Sequence, residues 1–353
     1  MSGEPVSREP VSRAHVRRLL IRPGSRYRCF GDGLCCTDIH ALGPIDDDEK
    51  ARLAIIADGV VRHHPIVGAD VLATSADGRC LFLQDEGCAL HEPMGGALKP
   101  HGCQRYPVGL TATPAGARVT LEHRCPCTLL GEAPELNEAA VHEHLGGSPD
   151  KDSARANHLV DTIPTDDGEM SFEAYAQLEM PLLDSVRSGA SRRALVEALG
   201  AVPFPAIEHD WDAIARGMKS VAVRDVGGRF EAALHWFGAA LQSRGTPFAD
   251  RPPRPWSDAF DRAEARSRAD DPLEPFRRFV ADHVWGLFWT ATGSLRATRQ
   301  ELVTRLSVGY ALADAFAAEG ARKDRAAAEA VMVLDVVGTS DWWQSVIGEI
   351  DRA

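Results

Sequence analysis

All eight cysteines of this 353-residue chain lie between Cys29 and Cys127, and the remainder of the chain contains none. Thiolates gathered in one segment are the ligands that a soft metal ion or an iron–sulfur cluster requires. Buried inert thiols are the alternative, because a free cysteine packs like a small apolar residue, but such thiols would be scattered along the whole chain. We therefore predict that the cysteines bind metal: Cys29, Cys35, Cys36, Cys80, Cys88, Cys103, Cys125 and Cys127.

The spacing of the cysteines indicates a metal without indicating which one. Zinc ribbons and fingers pair their ligands as C-x2–4-C, and bacterial ferredoxins have their own cysteine run; neither pattern occurs here. Cys35 and Cys36 are adjacent, so in an extended segment their side chains point to opposite sides. Either one binds metal while the other packs, or each serves a different centre. Eight thiolates suffice for two four-sulfur sites or for one cluster with spare ligands.

Composition divides the chain into three parts. Residues 1–28 hold seven arginines, only two acids and a repeat of EPVSR, which predicts a disordered basic arm. Residues 29–130 contain every cysteine on short apolar pieces, one of which should form a hairpin around Pro114-Ala115-Gly116. Residues 131–353 contain all seven tryptophans and have apolar residues at helical spacing, which predicts a helical domain. The predicted fold class is mostly α with a small irregular α+β cysteine-rich metal-binding domain.

Local signals place individual helices within this plan. Asp46-Asp47-Asp48-Glu49 is typical of a helix N-terminus, which favours acids, rather than of a calcium-binding loop. Ser171 is an expected N-cap for a helix toward Ser188, and Arg299–Ala318 should form a further helix. The tryptophans are expected in the core of the helical domain rather than around a pocket.

Charge and hydropathy exclude several classes of function. The formal net charge of -12 argues against general binding of nucleic acid. No run approaches the ~18 apolar residues needed to span a bilayer, and no apolar signal-peptide core follows the N-terminal charges. We therefore expect a cytoplasmic protein with no membrane partner. In a reducing cytosol, eight cysteines are more typical of metal binding or catalysis than of a four-disulfide scaffold.

Four blocks of the cysteine-rich segment together resemble a known family. The blocks are Tyr27–Cys36, Cys80–Leu83, Cys88–His91 and Lys99–Pro107, and the family pattern is F-x-C-x-x-C-x-x-C-C, C-x-F-L, C-x-I-Y and R-P-x-x-C-R-x-F-P. This is the pattern of the YkgJ-like cysteine-cluster (CxxCxxCC) proteins, which are described as zinc- or iron-chelating. The resemblance covers about residues 27–110 and implies that these cysteines bind zinc or iron.

The first block departs from the family pattern at one position, where Asp32 stands in place of the second cysteine. An aspartate can bind iron or zinc through oxygen, but it is a harder ligand than a thiolate. Alternatively the site lacks a ligand there, or Asp32 makes a turn with Gly31 and Gly33. We favour the turn.

Three histidines lie close to cysteines in the sequence and could complete a metal site through a ring nitrogen. A lone histidine is more often a surface residue or a hydrogen-bonded core residue. We therefore leave all three out of the predicted ligand set: His91, His101 and His123.

The overall plan is similar to that of the flagellin lysine N-methylases, cysteine-cluster proteins of similar length with a helical C-terminal half. His123-Arg124-Cys125-Pro126-Cys127 stands where those proteins have a Cys-Pro, and Phe276–Ala318 is similar to their C-terminal helices. The resemblance implies an iron–sulfur cluster of the 4Fe-4S kind and methyl transfer from S-adenosylmethionine to lysines of a protein substrate. Neither C-x3-C-x2-C nor G-x-G-x-G occurs, so the sequence predicts no cofactor-binding or catalytic residue.

Two functions follow from these observations. The first is a metal- or cluster-binding protein with redox or enzymatic chemistry, such as S-adenosylmethionine-dependent methylation of protein lysines. The second is a non-catalytic binding module in which zinc only stabilises the cysteine domain. The resemblance favours iron–sulfur over zinc, whereas the cysteine spacing favours neither.

Overall fold

The computed structural model describes residues 18–84, 87–90, 98–145, 156, 158–201, 210–221, 227–243 and 251–352. Helices predominate over small sheets, so the fold is mostly α with α+β elements, as predicted. The helices are α1 Asp47–Ile56, α2 His101–Arg105, α3 Pro126–Leu129, α4 Glu138–His144, α5 Phe172–Ser188, α6 Arg192–Leu199, α7 Trp211–Ser220, α8 Arg229–Ser243, α9 Ser257–Ala265, α10 Glu274–Gly286, α11 Leu295–Ala318, α12 Lys323–Gly338 and α13 Asp341–Arg352.

The strands are shorter than the helices and fall mostly in the cysteine-rich half. They are β1 Leu19–Ile21, β2 Val61–His64, β3 Ala69–Leu72, β4 Leu83–Gln84, β5 Gly87–Cys88, β6 Val108–Thr113, β7 Gly116–Leu121, β8 His158–Leu159, β9 Thr162–Thr165 and β10 Gly168–Ser171. Single 3₁₀ turns are formed by Leu34–Cys36 and Phe288–Ala291.

The largest sheet in the described residues has the strand order β1-β7-β6-β8. Its centre is the hairpin predicted around residues 114–116, in which Val108 pairs with Leu121 and Thr113 with Gly116. Every residue of β6 and β7 is buried, and helix α10 packs on this hairpin. The sheet therefore connects the cysteine-rich half to the helices.

The N-terminal arm is shorter than predicted. Leu19–Ile21 forms β1, which pairs in parallel with Ala117–Val119 of β7, and Arg22 forms a buried ion pair with Asp282 of α10 at 2.8 Å. The prediction of a disordered arm is therefore wrong for residues 19–28. The strand could not be predicted from its own residues because its partner, β7, is distant in sequence. Residues 1–17 lie outside the described residues.

The helix signals in the sequence are confirmed. The Asp46 side chain accepts a hydrogen bond from the Glu49 backbone at 2.7 Å, and the Glu49 side chain accepts one from the Asp46 backbone, so this acidic run starts α1. Ser171 caps α5. The predicted helix at 299–318 is part of α11, which begins earlier because Ser294 caps it.

Helices α8, α11 and α12 form the centre of the helical body, and α7, α10 and α13 pack around them. Six of the seven tryptophans are buried, as predicted: Trp211, Trp236, Trp256, Trp285, Trp289 and Trp343. Trp342 is the exposed one, at 42%. No helix among the described residues is both long and apolar enough to cross a membrane.

A buried carboxylate links three helices of this body. Glu301 of α11 accepts two hydrogen bonds from Arg305 at 2.6 Å and one from Trp343 at 2.9 Å, and its carboxylate lies 3.2 Å from His283. Burial alone would raise the pKa of Glu301, but the Arg305 charge and the hydrogen bonds outweigh burial and lower the pKa from 4.5 to about 2.

This shift predicts a pH dependence of stability. Because the pKa of Glu301 is lower in the folded protein, its contribution is complete above pH 4.5 and is lost as the pH falls toward 2. The contribution is about 3 kcal/mol at most. In urea titrations between pH 5 and 2, the free energy of unfolding should therefore fall less steeply in Glu301→Gln than in the wild type. Glu197→Gln is the control, because Glu197 is exposed and its substitution should leave the slope close to that of the wild type. Equal slopes for Glu301→Gln and the wild type would contradict the prediction.

Candidate metal centre

Packing divides the eight thiols into two groups of four, because Cys35 lies with Cys125 and Cys127 in one apolar cluster, to which a hydrogen bond from Cys29 to Cys127 adds the fourth, and the other four cysteines lie in a second cluster. Group one consists of Cys29, Cys35, Cys125 and Cys127, and group two of Cys36, Cys80, Cys88 and Cys103. The groups adjoin because Cys35 and Cys36 are consecutive residues of one 3₁₀ turn, and a hydrogen bond connects their side chains. None of the eight cysteines forms a disulfide.

Hydrogen bonds join the thiols of group one in a chain from Cys29 to Cys127, Cys125 and Cys35. Cys125 is the residue before α3 and Cys127 lies in its first turn, separated by a proline at the first helical position, where proline is favoured. The Phe30 backbone N–H donates to Cys127 Sγ at 3.3 Å. Cys29 is exposed, whereas Cys125 and Cys127 are buried.

The hydrogen bonds within group one separate the pKa values of its thiols. Bonds donated by Cys125 and Cys29 lower the pKa of Cys127 to about 2, and the same bonds raise the pKa values of Cys29 and Cys125. Bonds from Cys125 and Cys36 hold the pKa of Cys35 well below its ordinary value. Each thiolate opposes deprotonation of its neighbours. A cation would offset this repulsion, so metal binding at such a group releases protons.

Asp32 lies in irregular backbone between two glycines, and the turn that we favoured there stays a prediction. Gly31 and Gly33 on either side have φ values of 73° and 76°, a conformation that glycine adopts without strain. The buried Asp32 carboxylate forms an ion pair with Arg266 and is joined to Cys127 Sγ by a hydrogen bond of 3.1 Å. Burial and the Cys127 charge raise the pKa of Asp32 to about 7, although Arg266 opposes the change. Asp32 therefore connects group one to an arginine.

Helix α9 holds the loop that carries Cys29. Arg262 donates to the Asp32 carbonyl oxygen at 2.7 Å, and Arg266 donates to the Phe30 carbonyl oxygen at 2.6 Å. On the other side of group one, Arg124 forms an ion pair with Asp335 of α12 at 3.4 Å. Sequence reasoning missed these arginines and acids, because the sequence carries no signal that relates the helices to the cysteines.

Group two is built on short elements. Cys36 ends the 3₁₀ turn, Cys88 lies on the two-residue strand β5 and Cys103 on the five-residue helix α2. The Cys80 backbone N–H donates to the Cys36 carbonyl oxygen at 2.8 Å. Burial raises the pKa of Cys80 and, together with the neighbouring thiols, raises the pKa of Cys103 to about 12. Cys36 has a raised pKa because of its hydrogen bond to Cys35 and its burial.

The nearby histidines have other partners or lie outside the description. His123 is buried, with Nε2 3.2 Å from the Asp282 carboxylate. The backbone N–H of His101 donates to Glu49 at 2.5 Å, and His91 lies outside the described residues. His40, which the sequence analysis did not single out, has its Nε2 3.0 Å from the Cys35 carbonyl oxygen.

The two thiol groups have the donor atoms that a soft metal prefers, but their side chains are not arranged as metal ligands. Within the described residues, no three Cys, His, Asp or Glu side chains stand in an arrangement that could hold a metal ion. Clustered thiols are nevertheless the donors that zinc and iron–sulfur clusters select. Ligation at either group therefore requires rotation of cysteine side chains away from their mutual hydrogen bonds.

A cavity of about 260 Å³ lies at the C-terminal end of α3, and none of the eight cysteines is in its wall. Leu129, the last residue of the helix that carries Cys127, is part of its wall. Gly131 continues that wall against Phe30, whose ring lies 3.2 Å from where a Cβ of residue 131 would stand. The full lining is Leu129, Leu130, Gly131, Glu132, Arg268, Ala269, Asp270, Pro275 and Asp324.

Comparison with known proteins gives no assignment: no family model, no curated protein and no solved structure matches this chain. The structure itself defines a mostly α protein in which two adjoining groups of four thiols lie against a helical body. The function must therefore be inferred from the chemistry of these groups.

Proposed function

We propose that this protein binds metal through its cysteines. The observation that carries the proposal is group one, in which Cys29, Cys35, Cys125 and Cys127 come from two distant segments and are joined in one hydrogen-bonded chain. Packing alone does not require four thiols from distant segments to lie next to one another, whereas binding of a soft metal does require neighbouring thiols. The adjoining group two supplies four further thiols.

An iron–sulfur cluster is our first choice of metal and zinc is the second. Both are bound by four thiolates, so the donor set alone supports either. The resemblance to cluster-containing methylases favours iron–sulfur. Zinc as the only metal would support the alternative of a non-catalytic module whose ion stabilises the cysteine-rich half.

Elemental analysis of anaerobically purified protein tests this proposal. Iron with acid-labile sulfide and broad visible absorbance is the expected result. Stoichiometric zinc in a colourless protein would support metal binding with zinc, the second choice, as the bound metal. The proposal fails if anaerobic protein, and protein reconstituted with iron, sulfide or zinc, retains neither metal while it remains folded by circular dichroism.

Methylation of protein lysines is a second candidate function, which rests on the resemblance of the sequence to the flagellin lysine N-methylases. The cavity is large enough for part of a small ligand and shares α3 with Cys127. S-adenosylmethionine would supply the methyl group, and a lysine of a protein partner would accept it. Incubation of reduced, metal-loaded protein with S-adenosylmethionine and lysine-bearing partners should yield methyl-lysine, detected by mass spectrometry. Absence of the product with every partner would leave metal binding alone.

A further inference from the structure

The two thiol groups have very different surroundings. Group two lies in a small apolar cluster in which Phe82 is the one aromatic residue among the described residues. Its cysteines sit on a 3₁₀ turn, a loop, a two-residue strand and a five-residue helix. Such short elements are marginal without additional cross-links. An ion held by four cysteines between residues 36 and 103 would supply those cross-links.

Group one is placed where the fold does not depend on an ion. Cys125 and Cys127 belong to the core beside the β6–β7 hairpin, and α3 packs against α9 and α12. Arg262 and Arg266 hold the loop of Cys29 from α9. Protein contacts therefore position group one, and Cys29 remains exposed.

Structural zinc sites are closed by four protein ligands, whereas reactive metal sites keep an accessible position. In group two, Cys80 is buried and the other three cysteines are half-buried, whereas Cys29 of group one is exposed. We infer that the protein holds two metal centres with separate roles: group two binds a permanent structural ion of the zinc class, and group one binds an exchangeable metal centre open to solvent at Cys29. This inference rests on the proposed function, because it assigns the metal-binding cysteines to two centres.

Alkylation kinetics of the wild-type protein test the inference without relying on a variant that folds. The protein as purified is treated with EDTA under anaerobic conditions, and iodoacetamide labelling of each cysteine is followed by mass spectrometry. Each cysteine is compared with itself before and after EDTA, because the eight thiols differ in burial. EDTA should speed the labelling of Cys29, Cys35, Cys125 and Cys127 at least about tenfold and leave the labelling of Cys36, Cys80, Cys88 and Cys103 unchanged, because a closed four-thiolate ion protects its ligands.

Two serine variants provide the second measurement. Cys29→Ser should lose the metal of group one, keep that of group two and unfold within a few degrees of the wild type. Cys88→Ser should lose the metal of group two and unfold at least about 10 °C lower.

The outcomes separate the inference from the proposed function. A wild-type protein that binds no metal overturns both. If metal is bound but EDTA speeds the labelling of all eight cysteines alike, or each variant loses the entire metal content, a single shared centre is present. The proposed function then stands and the inference fails.

Discussion

Cys127→Ser is expected to lose at least half of the metal bound by the wild-type protein. Cys127 is the central residue of group one, because its sulfur is hydrogen-bonded to Cys29, Cys125, Asp32 and the Phe30 backbone. A hydroxyl is a harder and less acidic ligand than a thiol, so serine breaks the four-sulfur set. Elemental analysis and visible absorbance of the two proteins, prepared side by side, measure the loss.

Thr128→Ser is the matched control for this substitution. Thr128 is the next residue of α3, it is equally buried, and its hydroxyl donates to the Cys125 carbonyl oxygen at 2.9 Å, a bond that serine can also form. Its metal content should equal that of the wild type. Full metal content in Cys127→Ser would refute the assignment of group one as a metal site.

Arg118→Met is expected to lower the free energy of unfolding by about 3–5 kcal/mol, the usual cost of breaking one side of a buried ion pair. Arg118 of β7 donates to both carboxylate oxygens of Glu179 on α5, at 2.6 and 2.7 Å, and both side chains are at most 4% exposed. Its guanidinium also lies over the rings of Phe172 and Trp285. Methionine would leave the Glu179 carboxylate buried without its cation.

The double variant Arg118→Met with Glu179→Leu separates the loss of the pair from the loss of packing. Replacing both charges by apolar side chains of similar size should recover much of the lost stability. Urea titrations monitored by tryptophan fluorescence measure both variants. A single variant within 1 kcal/mol of the wild type, on the order of one hydrogen bond, would show that the ion pair does not stabilise the sheet against α5.

The predictable parts of the fold are those specified by neighbouring residues. The hairpin at residues 114–116, the acidic N-terminus of α1 and the Ser171 cap each depend on a few consecutive side chains, and each was predicted. Strand β1 was missed because it becomes a strand only through pairing with β7, about one hundred residues later.

The candidate site also has features that the sequence predicts and features that it does not. The clustering of cysteines could be inferred from the sequence, and the adjacency of Cys35 and Cys36 left open which centre each serves. The partition into two groups could not be inferred, because it depends on which loops the sheet and the helices bring together. The ion pair between Asp32 and Arg266 could not be inferred either, since no local pattern relates a loop residue to a distant helix.

The amino-acid sequence by itself determined that the soft donors lie in the first part of the chain, that the remainder is mostly helical, and that most of the tryptophans are buried. Composition and periodicity carry that information because they reflect local propensity and burial. The tertiary structure alone decided that Cys127 lies next to Cys29, that Cys36 lies near Cys103, and that Arg262 and Arg266 hold the loop that carries Cys29. Contacts between distant segments depend on how all the elements pack together, and that packing is a property of the whole fold.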